Sequence, residues 1–142
     1  MDPFVVLLLL GCVPLVSTQT NGWFVQGSYY YKLWTTPQIW KNAENHCVSQ
    51  GAHLTSFHNA VDEKAVSLKS MPNMYWIGAK LPDGVSFTWS DGSAVDYNNF
   101  KYKDNKPTCG SVYFPYKNAT MYWVQTLCDT SLPYICLLDH YD

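Results

Sequence analysis

The sequence predicts an α+β domain: two short helices, then antiparallel strands, closed by two disulfides. Three observations lead there. Apolar residues recur at helical spacing in two segments of the first half. The last third reads as strands separated by turn residues. Four cysteines remain once the amino-terminal stretch is set aside. At 142 residues, one domain is the default.

The chain opens with MDPFVVLLLLGCVPLVST. Its apolar run from Phe4 to Leu10 is too short to span a bilayer, and Ser17 and Thr18 follow. Residues 1–18 therefore read as a secretory signal peptide, although the n-region has Asp2 and no Lys or Arg. The domain is expected over residues 22–138. SYYYKLW (28–34) is an aromatic strand. Thr36-Pro37 reads as an N-cap followed by proline at the first helical position. Trp40, Ala43 and Cys47 make one face of the first helix, and Gly51 is placed to end it. A second helix begins near Asn59. Asp62 and Glu63 lie in its first turn as partners of the helix dipole. Val61, Ala65 and Leu68 form its apolar stripe, with Lys69 near its end and Pro72 just beyond.

MYWIGA (74–79) is the next strand. Pro82, Asp83-Gly84, Asp91-Gly92, Asn98-Asn99 and Pro107 then break residues 80–108 into a long, turn-rich loop in which only SFTWS (86–90) is extended. Loops of that length in compact domains are usually functional. CGSVYF, MYWVQTLC and PYICLL complete the sheet strands. If residues 109–114 and 121–128 form a hairpin with Cys109 opposite Cys128, the turn falls between Asn118 and Ala119, where Pro115 and Asn118 suit it. That register pairs Cys109 with Cys128 and leaves Cys47 for Cys136. Cys12 departs with the signal. Asn118-Ala119-Thr120 is the one glycosylation sequon, which makes Asn118 the candidate acceptor.

Nine lysines, no arginine and eleven acids give a formal net charge of −2. No basic excess of the kind that marks a nucleic-acid binder is present. Enzyme chemistry finds no footing either. His53 and His58 are five apart without a His-Glu-x-x-His pattern, so the histidines read as scattered surface or partly buried residues. No Gly-x-Ser-x-Gly occurs, and every cysteine after Cys12 is expected to be bridged. No metal site, catalytic residue or membrane span is expected.

WKNAENHC, GAHLTSF, WIG and WSDGS occur in that order, followed by Cys109, Trp123, Cys128 and Cys136. This series resembles a C-type lectin-like domain of the short form, over about residues 22–138. The resemblance implies two helices, two small antiparallel sheets, a long loop that makes the binding surface, and the same two disulfides. Members that hold sugar through calcium carry Glu-Pro-Asn or Gln-Pro-Asp in the long loop and Trp-Asn-Asp before the third cysteine. Here the second signature falls on Trp123-Val124-Gln125, and the first falls within FKYKDNKPTC (100–109), where Lys106 and Thr108 flank Pro107. Calcium takes about six to eight oxygen ligands. Val124 offers no side-chain oxygen and Gln125 one neutral oxygen, so calcium is not expected at the usual sugar site. Trp123 reads as a core residue.

The candidate ligand-binding residues are therefore Phe100, Lys101, Tyr102, Lys103, Asp104, Asn105 and Lys106 in the loop, with Gln125 on the strand. Ammonium groups beside aromatic rings suit an anionic glycan, a lipid head group or an acidic protein face. The expected protein is a secreted, extracellular recognition module, not an enzyme. It would bind a carbohydrate without the usual calcium site. The alternative is a protein-binding domain with no sugar activity. Pairing with a second copy stays open.

Overall fold

The computed structural model describes residues 21–71, 73–101, 104–116 and 120–139. The signal-peptide stretch lies outside them, as do Pro72, Tyr102, Lys103, Asn118 and Ala119. In chain order the elements are β1 (Phe24–Gln26), β2 (Tyr29–Gln38), α1 (Trp40–Ser49), β3 (His53–Leu54), α2 (Ala60–Leu68), β4 (Asn73–Leu81), β5 (Thr88–Trp89), β6 (Thr108–Phe114), β7 (Tyr122–Thr126) and β8 (Leu132–Asp139). The strands run in the order β1-β2-β8-β4-β6-β7, with β3 on β8 and β5 on β4. Every neighbouring pair is antiparallel except β4 and β8, which meet in one parallel rung, Trp76 with Tyr134. The two antiparallel sheets are thus halves of a continuous ribbon. No helix among the described residues is long and apolar enough to cross a membrane.

The first helix starts later than Thr36-Pro37 suggests. β2 runs on to Gln38, with an irregularity against β8 between Trp34 and Gln38, and Pro37 sits in that stretch. A proline donates nothing to a ladder, and an irregularity is where a strand tolerates one. Ile39 holds the N-cap position without a side-chain hydrogen bond. Instead the Trp40 N–H donates to the Cys128 carbonyl at 3.0 Å, so a distant loop satisfies one of the orphan donors. The buried face is Trp40, Ala43 and Cys47, and Gly51 follows the helix at φ +80°.

The second helix is capped by Asn59, whose side chain accepts from the Asp62 N–H at 2.8 Å. Its orientation reverses the expected one. Glu63 and Val66 are its buried residues, whereas Val61 is 70% and Leu68 52% exposed. Glu63 is not a solvent-facing dipole partner; it is 1% exposed.

Cys47–Cys136 ties α1 to β8, and Cys109–Cys128 ties β6 to the segment after β7. The hairpin register differs from the expected one by two residues. Cys109 faces Thr126, and Cys128 lies beyond the strand, its Cα 5.1 Å from that of Cys109. The core divides in two. One part gathers Trp40, Cys47, Leu54, Trp76 and Cys136 around the first disulfide. The other packs Tyr31, Phe57, Ile77, Trp89, Trp123 and Ile135 beneath the long loop.

Candidate functional site

β7 alternates. Trp123 points into the core and Tyr122 toward the flank, while the long loop returns along the free edge of the strand. The Trp123 N–H donates to the Asn99 carbonyl at 2.9 Å, and the Lys101 N–H donates to the Trp123 carbonyl at 3.1 Å. These bonds occupy main-chain groups that an edge strand would otherwise leave open. Trp123 is fully buried, with Phe87, Trp89, Tyr97 and Phe100 standing edge-on to it at centroid separations of 5.3–5.9 Å.

The Trp123 indole N–H donates to Glu63 Oε2. Glu63 Oε1 accepts from the Tyr97 hydroxyl at 2.9 Å and from Asn99 Nδ2 at 3.1 Å. One buried carboxyl therefore links α2, the long loop and β7. Desolvation raises its pKa, and the three hydrogen bonds oppose that shift. Burial, then the charge of Glu63, pushes the Tyr97 phenol up to about 12, so it stays a donor. Glu63 also lines a cleft of about 360 Å³, bordered by Lys64, Thr120 and Met121.

Gln125 reaches the other end of the loop. Its Oε1 accepts from the Asp104 N–H at 2.6 Å. Its Nε2 donates to Gly84 O at 3.1 Å, Asp104 O at 3.0 Å and Thr108 Oγ1 at 2.9 Å. Both ends of the amide are thus engaged within the protein. Gly84 completes the seat. At φ +74°, a Cβ there would lie 2.1 Å from Asp104 O, so only glycine fits. Gln125→Ala should cost about 1–2 kcal/mol, since several neutral hydrogen bonds are lost where water can partly replace them. Amide exchange should rise at residues 104–108 and not in β8; exchange unchanged at 104–108 would show the amide to be dispensable.

The remaining candidates separate into two groups. Phe100 is not an open stacking platform: it is only partly exposed and packs against Phe87 and Trp123 at 5.2 and 5.3 Å. Lys101, Asp104, Asn105 and Lys106 are exposed. The Lys101 Nζ sits 5.2 Å from the centroid of Tyr122, and Tyr122 meets Tyr113 edge-on at 5.5 Å. Sequence reasoning missed Tyr122 and Tyr113, although they face each other across the hairpin. The alternation in MYWVQT carries that signal, since it turns Tyr122 away whenever Trp123 faces the core. Tyr102, Lys103 and Asn118 lie outside the described residues.

The donor set at the signature positions of a calcium site is poor. Trp123 is core, Val124 has no side-chain oxygen, and the Gln125 oxygen already accepts from Asp104. The residues present do not fit calcium there.

The family model for the Lectin C-type domain matches residues 36–137. A snaclec of Philodryas olfersii is 31% identical over 127 residues, covering 81% of this chain and 77% of its own. A snaclec of Protobothrops flavoviridis, named as a coagulation factor IX/factor X-binding protein, is 28% identical over 127 residues, covering 82% of each. Among solved structures, a calcium-independent type II antifreeze protein superposes with a TM-score of 0.75 at 23% identity, over 87% of this chain and 96% of that one. This last likeness concerns the fold alone.

Proposed function

We propose a function from one premise: this chain belongs to the C-type lectin domain family. The protein is a secreted recognition module that binds an anionic glycan, without a calcium-bridged sugar, through the face formed by Lys101, Tyr122 and the 104–106 segment. The supporting observation is the Lys101 ammonium set over the Tyr122 ring, beside a loop whose main chain is held in place by Gln125. A fixed cation next to an aromatic plane offers a sulfate or carboxylate one charge contact and a sugar ring one stacking surface. Secretion is supported by the two disulfides, which persist in oxidising compartments.

A protein ligand is the second reading. It is favoured by the relative whose name describes a factor IX/factor X-binding protein. A glycan array run with calcium and again with chelator separates the readings. Chelator-insensitive binding to sulfated or sialylated glycans is the expected result. Binding to no glycan would favour a protein ligand.

The lysine face should respond to salt. At low ionic strength the protein is expected to be retained weakly on a sulfated polysaccharide column and to elute as the screening length shrinks to about 8 Å near physiological salt. Lys101→Ala/Lys106→Ala should abolish retention while stability changes by no more than about 0.5 kcal/mol, as both side chains are exposed. Retention unaltered in the double variant would remove this face from the proposal.

A further inference from the structure

We propose that the lysine–tyrosine face continues across the sheet, over Tyr113 and Met74, and takes an internal stretch of a linear anionic oligosaccharide rather than one terminal sugar. The inference rests on the glycan reading of Lys101 and Tyr122 given above.

Strand register puts three side chains in one row. Tyr122 of β7 pairs with Tyr113 of β6, and Tyr113 pairs with Met74 of β4. Directly paired residues share a face of the sheet. The adjacent row, Trp123, Val112 and Tyr75, belongs to the core beneath the long loop, so Tyr122, Tyr113 and Met74 point the other way. Two residues further along, on the same face as this row, come Val124, Ser111 and Trp76. Trp76 is covered there by the half of the core around the first disulfide. The row of Tyr122, Tyr113 and Met74 lies beyond that cover. All three side chains are half-buried, and none belongs to either core.

The two rings meet edge-on at 5.5 Å, and Lys101 Nζ stands 5.2 Å from the Tyr122 centroid at the β7 end. Neither phenol hydroxyl bonds to a described residue, which leaves both for sugar hydroxyls. A cross-strand ring pair stabilises a hairpin whatever it binds. The functional content is the whole series, in which ammonium, ring, ring and thioether lie in line across three strands. Neighbouring strands are about 4.8 Å apart, so the row runs about 10 Å from Tyr122 to Met74, with Lys101 beyond. That is longer than one sugar ring.

Charge and area choose the occupant. Among the described residues, the cation of this row sits at one end only. Asn73 and Met71, exposed near the β4 end, are uncharged. The anionic group of the ligand therefore belongs at β7, and uncharged C–H faces toward β4. Three side chains and one ammonium cover far less than the roughly 800 Å² that each partner buries in a stable protein interface. A narrow, linear ligand fits a row of this width, and a protein surface does not.

Isothermal titration calorimetry of the intact protein with chondroitin sulfate fragments of two, four and six sugars, at low salt, tests this. Affinity is expected to rise about tenfold from the shortest fragment to the longest, the scale of one further apolar side chain covered. Tyr113→Thr and Met74→Thr keep a residue suited to a strand and leave Lys101 in place. Each should remove most of the gain with length, whereas Tyr113→Phe, which keeps the ring, should retain it. Added charge on the longer fragments would act equally on all three variants. Equal affinity for all fragments overturns the proposal, as does a gain that survives in both threonine variants. A dimer seen by sedimentation and lost in Tyr113→Thr would give the row to a second copy and overturn it too. If the fragments bind without a length effect and Lys101→Ala abolishes binding, the lysine–tyrosine reading stands and this extension of it falls. Binding of no fragment removes both.

Discussion

Replacing Glu63 with leucine is expected to destabilise the fold by about 3 kcal/mol, among the largest effects of any single substitution here. The side chain is 1% exposed and accepts from Trp123, Tyr97 and Asn99. Leucine fills similar space but strands the buried indole N–H and leaves two partly covered donors to find water, at about 1–3 kcal/mol for each donor that fails. For a domain of this size that lowers the melting temperature by roughly 10 °C. Glu63→Gln should cost about half as much, because its NH₂ meets other donors.

The two variants also differ in pH dependence. Burial raises the carboxyl pKa in the folded state. Between the unfolded value and that raised value the native state carries more protons, so stability falls as pH rises through the window. Below the unfolded value, near 4.3, this loss vanishes. Wild type should thus gain on Glu63→Gln as pH is lowered toward that value. Urea denaturation at several pH values measures both effects. A Glu63→Leu loss under about 1 kcal/mol would mean that the three donors have other partners.

The second large effect is covalent. Cys47 and Cys136 are 89 residues apart in sequence, and Cys109 and Cys128 are 19 apart. Loop-closure entropy rises with the logarithm of that separation, giving about 4–5 kcal/mol for the first bridge and about 3 kcal/mol for the second. Cys47→Ala/Cys136→Ala should therefore unfold most of the protein at 37 °C, as removal of a native bridge from a small secreted domain often does. It also opens a gap among Trp40, Trp76 and Tyr134. Cys109→Ala/Cys128→Ala should stay folded with a lower melting temperature and a looser end to the long loop. Thermal unfolding followed by near-ultraviolet circular dichroism checks the order, and a reversed order would contradict it.

What could be read from sequence depended on how local the determinant is. The first helix was legible because Trp40, Ala43 and Cys47 share a face by spacing alone, and the cysteine pairs because folding 121–128 back on 109–114 brings Cys128 near Cys109, although the register itself was two residues off. The second helix was not. Val61, Ala65 and Leu68 have the better apolar spacing, yet Glu63 faces inward because Trp123, 60 residues away, presents a buried indole N–H to it. A tertiary hydrogen bond outweighed a weak local pattern. Thr36-Pro37 misled for a similar reason: the Cys128 carbonyl, not a neighbouring side chain, receives the first helical N–H. At the site, the position of Lys101 in an exposed loop was legible, but the engagement of Gln125 was not, since it depends on three separate stretches of chain.

The grip of Gln125 has a consequence for how this surface can change over time. Of its four contacts, three fall on main-chain atoms of Gly84 and Asp104, and the fourth on Thr108. Main-chain groups are the same for nearly every residue type, so the anchor does not depend on which side chain position 104 carries. Selection can therefore exchange residues 104–106 and keep the loop in register. The constraint falls on Gly84 and Gln125, which never need to touch a ligand. On the proposed reading of this face, a new specificity can arise by exchange at three exposed positions, whereas any side chain at Gly84 would run into the main chain of Asp104 and Lys106.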